Sequence, residues 1–259
     1  MLNKLLIAWC SFLALFFSCP LMAQGFRVGV QGQIAIGKLG EMEQVLSQAT
    51  AQQKADLLVR LGVEPKIADT IAEELRPDEK IELRSVRVLQ QMHYGVAFLP
   101  GFRGCFLYLL QGSDDEVQKH PWHVIDRQSI DCWHGDSVLE FLPLRSADTD
   151  DIVAHHVNYG HGSNYVEDQT QIFSILNGKL VQTMATQDFL SQGTLGTEEE
   201  ITTECKSTFL PFPDFLLEES RTTAVNSFLK KVERRYWRWS EERKKFLASD
   251  FVSVVAPNH

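Results

Sequence analysis

Residues 169–186 read QTQIFSILNGKLVQTMAT. Two runs of alternating apolar and polar residues flank Asn177-Gly178. Both turn residues accept positive φ, so they close a two-residue hairpin whose twist suits antiparallel strands. The register follows. Leu176 faces Lys179, Ile175 faces Leu180 and Phe173 faces Gln182, with Phe173, Ile175, Leu180 and Met184 sharing one face. This hairpin sets the expectation of an antiparallel sheet.

Strand patterns extend on both sides of it. Residues 105–110 are solidly apolar, as in a central strand covered on both faces. Residues 122–128, 138–144 and 151–159 read as further strands. At Ile81 and Leu83 apolar residues alternate with charges, but Val86 and Val88 continue on the opposite phase. That slip predicts a β-bulge or a strand break near Ser85. Residues 193–200 read as a loop. Residues 222–251 fit either a charged helix or a strand pair in which Val232, Arg234, Tyr236 and Arg238 lie against Phe246.

The period changes to helical upstream. Thr50 and Gln53 stand at capping-box spacing, and Ala51, Ala55, Leu58 and Leu61 follow on one face. Gly62 suits a helix C-terminus and Pro65 a helix start. Ile67, Ala68, Ile71, Ala72 and Leu75 form the next stripe, which Pro77 closes. The expected class is α+β, with an N-terminal helical hairpin packed on a mainly antiparallel β-sheet. The expected segments are a signal peptide (1–23), an irregular Gly-rich leader (24–42), the helical hairpin (43–78) and an antiparallel β domain (79–259).

Lys4 is followed by an uncharged, mostly apolar run over residues 5–17, then Pro20 and Ala23. This is the pattern of a secretory signal, with cleavage expected after Ala23. Ser18-Cys19 offers a lipid-anchor site as the rival processing point. Export implies a periplasmic or secreted protein, with no membrane span once the signal is removed. Of the 5 Cys in the 259 residues, Cys105, Cys132 and Cys205 would survive cleavage. They allow one bridge and a leftover thiol, or three free thiols, and no C-x-x-C pair is present. The formal net charge of −9 argues against a nucleic-acid partner, which calls for a basic field.

Several short stretches carry a family likeness. They are residues 148–153 (DTDDIV), residues 160–163 (GHGS), residues 175–180 (ILNGKL) and residues 235–239 (RYWRW) with Phe246. On these, residues 122–251 resemble bacterial secreted proteins with FG-GAP/VCBS-like β-hairpin units. The resemblance implies an antiparallel sheet, acidic residues in a turn before a strand, a closing strand pair and an export address. One unit is visible, and Asp151 stands where those proteins carry glycine.

Candidate chemistry is sparse. Gly135-Asp136-Ser137-Val138 resembles the nucleophile block of GDSL-type hydrolases, but no later Asp-x-x-His pair follows, so Ser137 is expected to be a turn serine. His120, His123, His134, His155, His156 and His161 cluster in sequence. Imidazoles and carboxylates bind zinc, and His123, His134 and His161 are the candidate ligands. On a strand, His155 and His156 point to opposite faces and cannot share one ion. Asp148, Asp150 and Asp151 are candidate calcium ligands, but the spacing after them is not that of an EF-hand loop. The expectation is an exported, non-enzymatic binding or envelope-associated protein without a resident cofactor and with unknown partners. The alternative is a metal-dependent hydrolase using the His120–His161 cluster, with zinc as its ion. Trp237-Arg238-Trp239 among basic residues fits carbohydrate or base stacking, or aromatic cover for a sheet face.

Overall fold

Among the described residues the first helix begins at Leu39, inside the segment read as an irregular leader. The computed structural model describes residues 38–76, 79–88, 93–101, 104–114, 121–130, 132, 137–159, 165–193, 197, 200–211, 214–225 and 228–254. Residues 1–37, which hold the expected signal peptide and most of the expected leader, lie outside that set. Within the described set three helices come first: α1 (Leu39–Gln48), α2 (Ala51–Leu61) and α3 (Pro65–Glu74). The expected hairpin is α2 and α3; α1 is the addition. Lys38 gives α1 no side-chain cap. Instead Asp114, far along the chain, accepts from the Leu39 N–H at 3.0 Å. A cap supplied by tertiary contact leaves no local signature, which is why the start of α1 was missed. Thr50 and Gln53 do form the reciprocal capping box of α2, and Gly62 ends it at φ +100°.

Among the described residues the rest is antiparallel sheet. Four strands, β1 (Glu82–Val86), β2 (Tyr94–Leu99), β3 (Cys105–Gln111) and β4 (His123–Ile130), form one sheet in chain order. The second is a meander of β5 (Ser137–Ser146), β6 (Thr149–Tyr159), β7 (Val166–Leu176), β8 (Lys179–Gln192), β9 (Ile201–Leu210), β10 (Leu216–Val225), β11 (Phe228–Ser240) and β12 (Lys245–Ala248), with β13 (Val252–Val254) paired to β11. The described residues of 222–251 therefore form strands and their connections, with Trp239 opposite Phe246 and Arg238 opposite Leu247. The helical alternative fails because alternate β11 side chains, Glu233, Arg235, Trp237 and Trp239, all turn to the sheltered face.

Three apolar layers hold these parts together. The helices pack on one face of the first sheet, where Leu58, Ala68 and Ile71 meet Leu83, Leu99, Tyr108, Leu110 and Trp122. The other face carries Val96, Phe98, Leu107, Leu109 and Ile130, which pack on Ile152, Ala154, Phe173, Ile175 and Leu180 of the second sheet. The third layer lies on the far face of the second sheet, where Val153, Ile172 and Met184 meet Leu217 and Phe246. Strand β3 is thus apolar on both faces because it is covered on both faces.

The first sheet also explains the phase change near Ser85. The β1–β2 register runs without a break from Glu82↔Phe98 to Val86↔Tyr94. No bulge or break occurs there. Leu83 faces the helices and Val86 faces the second sheet, so one strand buries apolar residues on both sides. The sequence pattern was a change of covering layer, not of backbone register.

The Asn177-Gly178 turn has φ +52° and +73°, and the pairs Leu176↔Lys179, Ile175↔Leu180 and Phe173↔Gln182 are present. Met184 departs from the expected face. A register shift between Ile172 and Phe173 pairs Ile172 with Met184, which moves Met184 into the third layer. Replacing Gly178 by alanine forces an L-residue into the left-handed region and is expected to cost roughly 1–2 kcal/mol. Urea denaturation measures it; an unchanged midpoint would reject the positive-φ turn.

Cys105 and Cys132 form a disulfide with Cα atoms 5.8 Å apart, and Cys205 is a buried free thiol. Of the two arrangements open from sequence, bridge plus leftover thiol is the one adopted. No helix among the described residues is long and apolar enough to cross a membrane.

Candidate functional site

The candidate metal ligands do not converge where the structure describes them. Asp148 is exposed in the β5–β6 turn. Asp150 and Asp151 follow on β6 and point to opposite faces, as alternation requires. Asp150 turns toward the first sheet, where its carboxylate accepts from the Arg87 N–H at 3.1 Å and pairs with the guanidinium at 2.5 Å. The Asp150 N–H donates to the Arg87 carbonyl at 3.0 Å, so this residue fastens β6 to the end of β1. Asp151 is fully buried on the other face and accepts from Arg145 Nε at 2.7 Å and Ser174 Oγ at 2.6 Å. Burial pushes the Asp151 carboxyl above its ordinary value, against the pull of Arg145 and Ser174. These two carboxylates are structural anchors already engaged by arginines.

Among the histidines, His123 is exposed and its Nδ1 lies 3.2 Å from the Pro121 carbonyl. His120, His134 and His161 lie outside the described residues, as does Asp136. Ser137 is the first residue of β5 rather than a turn serine; its hydroxyl donates to the bridged Cys105 sulfur at 3.5 Å. His155 and His156 take opposite faces, His156 buried on the side of Ile152 and Ala154. No group of three or more His, Cys, Asp or Glu side chains able to hold a metal ion occurs among the described residues.

What the meander does bring together is a row of polar side chains running across its strands on the third-layer face. His155 on β6 pairs with Thr170 on β7, with Nδ1 2.6 Å from the hydroxyl. That hydroxyl donates to the Asp188 carboxylate on β8. Asp188 sits at the register shift between Asp168 and Gln169, which turns it onto this face. On the other side, Glu140 Oε2 of β5 lies 3.9 Å from His155 Nε2. Hydrogen bonding toward Asp188 raises the imidazole pKa above its ordinary value; burial opposes this, and the charges of Asp188 and Glu140 add to it.

The row continues on the later strands. Cys205 on β9 pairs with Arg221 on β10, and Glu219 pairs with Arg235 on β11. Glu219 is fully buried and accepts from Arg235 Nε at 2.6 Å and Trp237 Nε1 at 2.8 Å, with Arg221 Nη2 at 3.6 Å. Arg221 and Arg235 each lie 4.3 Å from the Phe251 ring centroid, and Arg235 lies 4.5 Å from that of Trp237. The guanidiniums are spread over aromatic faces while their edges serve the carboxylate. Burial pushes the Cys205 thiol up, so it is a protonated packing group and not a thiolate nucleophile. Trp237 and Trp239 are partly buried against the third layer, and Arg145 stacks over Trp239 at 5.1 Å. This is aromatic cover for a sheet face.

The sequence reading singled out none of Glu140, Thr170, Asp188, Glu219 or Arg221 for chemistry. They stand on four strands and share a face only once register and two bulges are known. Alternation alone marked His155 as facing away from His156; nothing local named its partners. In comparison with known proteins, the chain matches no family model, no curated protein and no solved structure.

Proposed function

We propose that the protein is exported, to the periplasm or beyond, and acts there as a non-enzymatic binding or envelope-associated module. The observation that carries this reading is the Cys105–Cys132 bridge, which joins the start of β3 to the segment after β4. Bridges of this structural kind persist in oxidising compartments and are rare where thiols are kept reduced. The leader pattern of residues 1–23 points the same way, and so does the likeness to secreted proteins with FG-GAP/VCBS-like units. A binding role is supported by the polar row from Glu140 to Arg235. Its groups are fixed on strands rather than loops, a setting that holds recognition groups in place.

Intact mass of the protein recovered from the envelope fraction tests the proposal, read with and without thiol alkylation under denaturing, non-reducing conditions. Loss of residues 1–23 and a single alkylated thiol, Cys205, are expected. Retention of Met1, or three alkylated thiols, overturns export. A diacylglycerol on Cys19 overturns cleavage after Ala23.

A further inference from the structure

The row at His155 has a direction. A carboxylate only accepts, so the Thr170 hydroxyl spends its proton on Asp188. The same oxygen must then accept from His155, which places a proton on Nδ1. Nε2 is left as the basic nitrogen of the neutral ring, and it faces the Glu140 carboxylate 3.9 Å away. Two acceptors confront each other until Nε2 takes up a proton. We propose that His155 is a proton-operated clasp: protonation at Nε2 ties the edge strand β5, through Glu140, to β6, β7 and β8.

The groups around the ring support that sign. The charges acting on it are both carboxylates, Glu140 from β5 and Asp188 from β8, while β7 presents the neutral Thr170. Beyond Asp188 lie Asp168, whose carboxyl burial raises and Asp188 raises further, and the protonated Cys205 beside Arg221 and Glu219. On β6 itself, Asp151 is taken up by Arg145 and Ser174. Among the described strands β5 is an edge strand, hydrogen-bonded to β6 alone, so a tie at Glu140 acts where the ladder has one neighbour. The folded imidazole binds its proton more tightly than the unfolded one. The clasp is therefore fully closed below the unfolded value of about 6.5 and is lost as pH rises through the higher folded value. It depends neither on export nor on any ligand.

Amide hydrogen exchange of the full mature chain at about pH 5.5 and about pH 8.5, corrected for intrinsic rates, brackets that titration. Protection across residues 138–142 is expected to be higher at the acid pH, by up to tenfold for each unit separating folded and unfolded values. His155→Gln is expected to erase the pH dependence, and Glu140→Gln and Thr170→Val to reduce it while leaving the rest of the sheet protected. The two milder variants carry the test if His155→Gln does not fold. Equal protection of residues 138–142 at the two pH values overturns the clasp. So does an imidazole that titrates, by proton NMR of the folded chain, at or below about 6.5.

Discussion

Replacing Trp122 by alanine is expected to cost about 3–5 kcal/mol of stability, the upper range for a large core side chain. Trp122 is almost fully buried where the helices meet the first sheet. Its seat is built by absence of side chains around it. A Cβ on Gly112 would stand 2.7 Å from Trp122 Cα, and one on Gly95 would stand 3.1 Å from the indole ring. The indole N–H donates to Asp114 at 2.8 Å, and the same oxygen caps α1 at Leu39. Removing the indole thus opens a cavity and loosens the acceptor that starts the first helix. Trp122→Phe retains ring area but loses that donor, and is expected to cost less. Guanidinium denaturation of both variants measures it. A loss under about 1 kcal/mol for the alanine variant, a value usual at surfaces, would sink this account.

Glu219→Ala is expected to have an effect of similar size, for a different reason. Two arginines and an indole N–H converge on this fully buried carboxylate. Removing one partner of a buried pair strands the other, which costs about 3–5 kcal/mol. Glu219→Gln keeps an acceptor for Trp237 and should lose less. The combination Glu219→Leu with Arg235→Met is expected to recover part of the loss, because it removes the stranded cation as well. Thermal or chemical denaturation of the single and double variants decides it. A double variant less stable than Glu219→Ala would show that packing of Arg235 on Trp237 and Phe251, and not its charge, dominates.

Both predictions rest on contacts between segments far apart in sequence, and that distance sets what could be read beforehand. The hairpin at Asn177-Gly178, the capping box at Thr50 and the Gly62 helix end were legible because each depends on residues within four positions of one another. The apolar run of β3 was legible because a strand covered on both faces has no polar phase. The start of α1 was not, since its cap arrives from Asp114. Nor was the face of Met184, which one bulge inverted. The histidine and aspartate clusters drew attention by closeness along the chain. Closeness on a strand, however, alternates faces, so Asp150 and Asp151 serve different sheets.

The sequence by itself determined the secondary structure on either side of the Asn177-Gly178 turn, the antiparallel character of the sheet and the capping of α2, because short-range sterics and hydrogen bonding suffice for these. Tertiary structure alone decided that there are two sheets, that Cys105 bridges to Cys132, and that His155, Thr170 and Asp188 form one hydrogen-bonded chain beside Glu219 and its arginines. Register, bulges and the stacking of layers fix those, and each is set by which apolar surfaces find one another rather than by any local residue pattern.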